Sequence, residues 1–324
     1  MQISKFKLPV PYKESFEVLD SSKIQTFQDS PRRFFFEHVL GWRVDEPNIH
    51  LVFGSSWHDA MEVMMREVGS YTDATVARAY NAFQRGFLDV YNDPLQETGS
   101  DKKTEGAALN ALISYAEEYK NDDFTTHEVE VAGTIPISNT RLIHFKLDTI
   151  IEYGAGHPLY RPGFWSMEHK TGSMNTIGWR SKWGIIVQPW TYTHALKGLY
   201  QNEAVGVIIN GVFFYKKGQA FIRIPVIKSD TMMQAGLDSV NHWVDQIEWN
   251  FKMLQEENAK NSTMFSFPCN GMSCSKFGNC PYMNMCATWA NPLAKCEHGP
   301  PVGFKEEFWD PRKAEDTAKK VVHL

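Results

Sequence analysis

The hydrophobic pattern changes its period near residue 126, and this change constrains the fold more than any other feature of the chain. Upstream, apolar residues recur every three or four positions, which predicts helices over 55–70, 74–91 and 104–119. Downstream, apolar and polar residues alternate, which predicts strands in HEVEVAGTIPI, RLIHFKLDTIIEY and WSMEHKTG. Helices before and after such strands predict an α/β fold with a mixed central sheet flanked by helices.

The second half of the chain returns to helical periodicity and ends in a charged tail. Helices are predicted over 182–200 and 230–258, with a hairpin between them that turns at Lys217-Gly218. The first of the upstream helices is predicted to begin beside Gly54, with Ser55 or Ser56 as its cap. The tail 305–324 is rich in charged residues and is interpreted as a surface helix.

The composition excludes several classes of protein. Hydrophobic residues make up 43% of the 324 residues and charged residues 22%, so global disorder is excluded. No run of 18 apolar residues occurs, and the start MQISKFKLPVPYKESFEV lacks the apolar core of a secretory signal. These features predict a cytoplasmic protein without a membrane partner, and they leave the oligomeric state open.

Two carboxylates and a lysine fall on neighbouring predicted strands. Asp148 lies within FKLDTII, and Glu168 and Lys170 lie two residues apart on the next strand, so their side chains share a face. If the strands pair, Asp148 lies across from Glu168, and the two carboxylates repel unless a cation neutralises them. Such oxygen ligands suit Mg²⁺ or Mn²⁺. By itself, however, Glu-X-Lys on a strand is more often a solvated ion pair.

Four further motifs occur in order along the chain. They are Ser22-Lys23-Ile24, Ser30-Pro31-Arg32-Arg33-Phe34, Gly54-Ser55-Ser56-Trp57-His58 and Gln188-Pro189-Trp190-Thr191-Tyr192. With Asp148 and Glu168-His169-Lys170, this order resembles the PD-(D/E)XK nuclease superfamily in its RecB-like exonuclease branch. That branch includes the nuclease domains of AddAB-type helicase–nucleases and the CRISPR-adaptation exonucleases. The resemblance covers most of the chain and implies a restriction-endonuclease-like core.

The resemblance also implies a role for each matched residue. A Mg²⁺ or Mn²⁺ ion would be ligated by His58, Asp148, Glu168 and the backbone carbonyl of His169. Asp148, Glu168 and Lys170 would be the catalytic residues. Without the resemblance, His58 would more often be a packed histidine on a methionine-rich helix face.

Several polar residues are predicted to contact DNA. The resemblance places Gln188 and Tyr192 near the scissile strand, and their four-residue spacing puts them on one helix face. Pro189 between them predicts that the helix is kinked or starts late. Arg32, Arg33 and Lys146 are predicted to contact the phosphate backbone, with a solvated surface as the alternative.

The cysteines form one compact segment near the end of the chain. They are Cys269, Cys274, Cys280, Cys286 and Cys296. In a cytosolic chain such clustering favours a metal site over disulfides. Related RecB-like nucleases hold a [4Fe–4S] cluster, and the stretch from Cys280 to Cys286 resembles its C-terminal part, but Ser30 stands where the N-terminal ligand would fall. An iron–sulfur cluster, a zinc ion and no metal all remain open.

The domain prediction follows from this segment. We expect a nuclease core with an N-terminal helical part over 1–260, and a cysteine-bearing segment over 261–324 packed on it.

The functional prediction is a Mg²⁺- or Mn²⁺-dependent DNA nuclease, an exonuclease or end-processing enzyme. The net charge of −5 argues against a surface that is basic throughout, but eight basic residues and one acidic residue lie between His169 and Ser229. The alternatives are a catalytically decayed nuclease-fold protein that binds nucleic acid in a repair or recombination assembly, and an unrelated α/β protein. No GxxxxGK[ST] motif is present, so a helicase or recombination protein is a further expected partner.

Overall fold

A computed structural model describes residues 1–92, 100, 102–275 and 280–324 of the chain. Its helices are α1 (Ser21–Asp29), α2 (Pro31–Phe34), α3 (Ile49–Met65), α4 (Asp73–Leu88), α5 (Glu105–Glu118), α6 (Ile177–Ser181), α7 (Val187–Tyr200), α8 (Asp230–Leu254), α9 (Met283–Thr288) and α10 (Lys313–Thr317). Its strands are β1 (Trp42–Val44), β2 (Thr125–Ser138), β3 (Arg141–Tyr153), β4 (Gly163–Gly172), β5 (Ala204–Phe214), β6 (Gln219–Ile227), β7 (Phe304–Glu306) and β8 (Lys320–His323).

The central sheet has six strands in the order β6-β5-β4-β3-β2-β8. The sheet is mixed, because β4 pairs parallel with β5 whereas β3 pairs antiparallel with β4 and β6 antiparallel with β5. The parallel pair requires a crossover, which α7 supplies by packing on both of its strands. The predicted α/β class with a mixed sheet flanked by helices is therefore confirmed.

The described residues divide into two compact units, each built from three chain segments. The first unit comprises Met1–Glu46, Thr134–Phe145 and Asp230–Ala314, and the second comprises Pro47–Gly133, Lys146–Ser229 and Glu315–Leu324. The predicted boundary at residue 260 stays a prediction.

The second unit contains an apolar core in which α3, α4 and α5 stack and α3 packs on β4. The three helices begin at caps: Asn48, Thr72 and Thr104 each accept a hydrogen bond from a backbone N–H of the first turn. The fully buried aromatic side chains of this core include Phe53, Trp57, Phe83, Tyr115, Trp165 and Phe214. This packing fixes α3 against the strand that carries Glu168.

The first unit is organised around aromatic rings. Phe267 contacts Phe27, Phe34, Phe35 and Phe251, so the chain after α8 is joined to the N-terminal helices. A short two-stranded sheet of β1 and β7 lies in the same unit.

Two sequence interpretations need correction. Helix α3 begins at Ile49 and not near Ser55, because the Asn48 side chain accepts from the N–H of His50, and Gly54 lies inside the helix. The tail 305–324 is not a single helix. It contains β7, the short α10 and β8, and β8 occupies the edge of the central sheet. A strand of four residues is too short for its hydrophobic periodicity to be recognised in the sequence.

In the described part of the chain, no helix combines the length and apolar character needed to cross a lipid bilayer.

Candidate active site

The candidate site lies where β3 and β4 separate. The antiparallel ladder runs from Tyr153↔Gly163 to Thr149↔Met167. Beyond it, the N–H of His169 donates to Asp148 Oδ2 over 2.8 Å, so a side chain replaces the carbonyl that a continuing ladder would provide. The strand parity predicted from sequence thus brings Asp148 and the Glu168-X-Lys170 motif together.

Glu168 is 2% exposed, and its two carboxylate oxygens have different environments. Oε1 accepts from Lys170 Nζ at 2.5 Å and from Gln188 Nε2 at 3.0 Å. Oε2 is buried and finds no hydrogen-bond partner among the described residues. Burial, together with the negative charge of Asp148, raises the pKa of Glu168 to about 7.

His58 completes the site from α3, and its Nδ1 lies 3.1 Å from Asp148 Oδ2. Burial lowers the pKa of His58, but the charge of Asp148 and the hydrogen bond to it reverse the effect, so the net pKa is raised. Burial raises the pKa of Asp148, but the charge of His58 outweighs it, so the net pKa lies well below its ordinary value. The two carboxylates therefore differ: Asp148 stays ionised while Glu168 takes up a proton readily.

Gln188 and Tyr192 lie beside Glu168 on one face of α7, as their spacing predicted. The same Gln188 amide nitrogen that donates to Glu168 donates to Tyr192 Oη over 2.9 Å. Pro189 sits in the first turn of α7, where a missing backbone N–H breaks no helical hydrogen bond. Helix α7 begins at Val187 and not at residue 182, which agrees with the late start predicted from this proline.

The imidazole of His169 is anchored in a buried polar network that the sequence analysis missed. Asn210 Nδ2 lies 3.0 Å from His169 Nδ1 and donates to Tyr115 Oη over 2.8 Å. Arg223 donates to the same Tyr115 oxygen and, through two nitrogens, to the Asp122 carboxylate. Burial lowers the pKa of His169 to about 3, so the ring is neutral and acts as a rigid anchor for the backbone between Glu168 and Lys170.

The site opens into a cleft of about 450 Å³. The lining includes His58, Asp148, Glu168, Lys170 and Tyr192. Lys146 also lines this cleft, and its ammonium pairs with Glu130 at 2.5 Å. Among the residues predicted to contact DNA, Lys146, Gln188 and Tyr192 are thus placed at or beside the cleft.

The two predicted DNA-contacting arginines belong to the other unit and have different surroundings. Arg32 is 4% exposed and donates to the carbonyl oxygens of Phe267 and Met264 over 2.8 and 3.0 Å. Arg32 holds the segment after α8, so its guanidinium is not exposed to a DNA phosphate as the sequence predicted. Arg33 is partly exposed and pairs with Glu37 at 2.9 Å, so its predicted DNA contact stays a prediction.

The five cysteines are free thiols. Cys286 is hydrogen-bonded to Cys269, and burial raises the pKa of Cys286 to about 12. The thiols of Cys274 and Cys296 each lie near a backbone carbonyl four residues earlier. No three metal-ligating side chains of the described segment are arranged to hold an ion, so the geometry does not support the predicted iron–sulfur or zinc site.

Within the described residues, Asp148 and Glu168 are likewise not part of a group of three side chains already arranged to hold an ion. Here, however, the donor chemistry fits a divalent cation: two carboxylates and an imidazole converge, and one buried carboxylate oxygen has no partner in the part of the chain that the structure describes. His58 is the partner of Asp148, and Lys170 is the partner of Glu168. The residues present at this site therefore suit a Mg²⁺- or Mn²⁺-type ion.

Comparison with known proteins identifies the family of the chain. The sequence model of the PD-(D/E)XK nuclease superfamily matches residues 21–287. The chain belongs to the PD-(D/E)XK nuclease superfamily, and its sheet and flanking helices are consistent with that fold. Nucleases of this superfamily typically use Mg²⁺ or Mn²⁺.

No curated protein matches the sequence. A solved structure described as the crystal structure of SSO0001 is 14% identical, and the match covers 60% of this chain and 79% of that one with a TM-score of 0.24. So low a score supports no argument about this protein.

Proposed function

We propose that this protein is a metal-dependent DNA nuclease that hydrolyses phosphodiester bonds, an exonuclease or end-processing enzyme of the RecB-like branch. The observation that carries the proposal is the convergence of Asp148 and Glu168 at the cleft, with Glu168 Oε2 buried and lacking a partner among the described residues. Membership of the superfamily supports the reaction class.

The residues that would hold a Mg²⁺ or Mn²⁺ ion are His58, Asp148, Glu168 and the carbonyl of His169. When bound, such an ion activates a water molecule as the nucleophile and neutralises charge that develops on the phosphate. The protein's own contribution is to keep the two carboxylates close and largely shielded from water.

Lys170 is the residue placed to act on the phosphate. Burial lowers its pKa, but the charge of Glu168 reverses the effect, so the net pKa is raised and the side chain stays an ammonium. As an ammonium it would donate hydrogen bonds to negative charge that develops on the phosphate. Gln188 and Tyr192, bonded to each other beside Glu168, orient the strand being cut.

The test is digestion of end-labelled DNA, single- and double-stranded, linear and circular, with Mn²⁺, with Mg²⁺ or with a chelator. Glu168→Gln and Lys170→Met should each lower the cleavage rate by at least about 100-fold, because removing one group that stabilises the transition state costs this much. Glu117→Gln and Lys120→Met, at an exposed ion pair in the same unit that does not line the cleft, are matched controls that should cleave like the parent.

Two outcomes would contradict the proposal in different ways. Unchanged cleavage in both site variants would remove the site assignment. A parent protein that binds DNA but never cuts it would favour the decayed-scaffold alternative.

Three finer points complete the proposal. Resistance of circular DNA would support an exonuclease. A helicase or recombination partner and a cytoplasmic location are expected from the sequence. The cysteine site is decided by iron and zinc analysis of anaerobically purified protein, where broad absorption near 400 nm is the iron–sulfur signature.

A further inference from the structure

Lys103 is a buried lysine that the proposed chemistry does not use. It is 2% exposed, and among residues 1–92, 100, 102–275 and 280–324 no carboxylate forms an ion pair with it. Its ammonium donates to Thr171 Oγ1 over 3.1 Å and lies 5.4 Å from the centre of the Phe53 ring. Burial lowers its pKa to about 8, so at neutral pH most molecules carry a buried positive charge that is costly unless an anion compensates it.

Thr171 connects this charge to the cleft. It immediately follows Lys170, and its side chain is among those that line the cleft beside Asp148 and Glu168. Because an ammonium cannot accept a hydrogen bond, Thr171 Oγ1 is the acceptor in this contact. The Thr171 hydroxyl proton is then directed away from Lys103 and is available as a donor to a group in the cleft.

Gly54 provides open space at the same place. A Cβ added at Gly54 would lie 3.7 Å from Thr171 Oγ1, which is an ordinary contact, so the protein itself does not require glycine here. Gly54 also lines the cleft, one helical turn (about 6 Å) before His58 on α3. The missing side chain therefore leaves room for a ligand between the hydroxyl donor and the metal-binding residues.

We infer that Lys103, Thr171 and Gly54 form a phosphate-binding subsite, which holds a DNA phosphate next to the one being hydrolysed. Thr171 donates the direct hydrogen bond, Lys103 supplies the positive charge behind it, and Gly54 leaves the space. The inference rests on the proposed function and specifies how that site positions its substrate.

The experiment measures binding of a short fluorescent single-stranded oligonucleotide with Ca²⁺ in place of Mn²⁺, and kcat and KM with Mn²⁺. Thr171→Val should weaken binding and raise KM by about tenfold, because a hydrogen bond to a charged group is lost. Thr171→Ser keeps the hydroxyl and should restore parental binding. The Mn²⁺ affinity, measured by calorimetry, should be unchanged in both variants.

Two further variants separate binding from folding. Gly54→Ala should raise the melting temperature, since alanine stabilises a helix interior by about 1 kcal/mol over glycine, and yet weaken DNA binding. Lys103→Met should weaken binding as Thr171→Val does. Its matched control is Lys23→Met, at another buried lysine that donates instead to the carbonyls of Ser15 and Val18 and should leave DNA affinity unchanged.

The outcomes distinguish this inference from the proposed function. If Thr171→Val binds the oligonucleotide as tightly as the parent, or if Thr171→Ser binds as weakly as Thr171→Val, the subsite is wrong even if the enzyme cuts DNA. If the parent binds DNA without cutting it and Thr171→Val weakens that binding, the subsite stands and the proposed catalytic function falls.

Discussion

At the scale of single residues, Glu168 is held in an environment that opposes its ionisation. Its carboxylate is almost fully buried, one oxygen has no partner in the described chain, and the ionised Asp148 lies close by. Buried charges of this kind are usually removed by protonation or by a bound cation. Without a bound cation, the buried Glu168 carboxylate therefore destabilises the fold, but it stays available as a metal ligand.

This cost should appear as a pH dependence of stability. The pKa of Glu168 rises from 4.5 to about 7 on folding, so between these values the unfolded chain has lost a proton that the folded chain retains. The free energy of unfolding should fall across this window, by up to about 3 kcal/mol relative to Glu168→Gln. Urea unfolding of metal-free protein at pH 4.5 and pH 7.5 measures it, and a constant difference between the two proteins would contradict the prediction.

The network behind His169 makes a second residue-scale prediction. Arg223→Met leaves the Asp122 carboxylate without its guanidinium and takes a donor from Tyr115. We expect the free energy of unfolding to fall by about 2–3 kcal/mol, because the half-buried Asp122 carboxylate loses its charged partner. The double variant Arg223→Met, Asp122→Leu should recover part of this loss in urea unfolding, and no recovery would argue against the pair as the cause.

At the scale of secondary-structure elements, β8 shows how the tail is tied to the sheet. The strand lies next to β2 at the sheet edge, and the N–H of Lys319 donates to the carbonyl of Glu130 over 2.8 Å. The approach is close at Gly133, where an added Cβ would lie 1.7 Å from the carbonyl oxygen of Val322. Glycine is therefore needed at this position of β2 for β8 to dock.

Gly133→Ala should destabilise the protein by about 1–3 kcal/mol, as overpacking does elsewhere. In a chain that lacks residues 319–324, Gly133→Ala should lower the free energy of unfolding far less, because the carbonyl of Val322 with which it clashes is absent. Thermal unfolding of the four proteins forms a double-mutant cycle. The control is Gly106→Ala, which meets no atom within 4 Å, and an equal cost of Gly133→Ala in both chains would refute the docking role.

The elements that could be predicted from sequence are those whose hydrophobic pattern keeps a regular period over many residues. The alternation in β3 and β4 was enough to bring Asp148, Glu168 and Lys170 together, and the four-residue spacing placed Gln188 and Tyr192 on one face. Lys103 and Thr171 lie 68 residues apart, and nothing local marks Lys103 as buried. The surroundings of Arg32 are hidden from the sequence for the same reason: only tertiary packing shows that its guanidinium donates to backbone carbonyls.

At the scale of the whole molecule, charge is distributed unevenly along the sequence. The net charge is −5, yet the stretch from His169 to Ser229 carries eight basic residues and one acidic residue, so the rest of the chain is considerably more acidic than the total suggests. A polyanion should therefore be attracted to the exposed basic residues of this stretch, which do not include Arg223, and repelled by the acidic remainder of the chain.

DNA affinity should accordingly fall steeply with salt. Lys228→Gln and Arg180→Gln, both outside the candidate catalytic group, should each lower the slope of log K against log salt by about 1 if the side chain contacts a phosphate. Anisotropy titrations from low to physiological salt provide the slopes. An affinity of the parent that does not depend on salt would contradict the electrostatic interpretation.

One carboxylate oxygen of Glu168 is buried without a hydrogen-bond partner among the described residues, and this bears on how the protein would respond to selection. In metal-free protein, substitutions that remove the charge of Glu168 relieve its burial cost, so a population selected only for heat resistance should accumulate them early. If the proposed function is right, such a population loses DNA cleavage, and heat-resistant clones therefore need a cleavage assay as well.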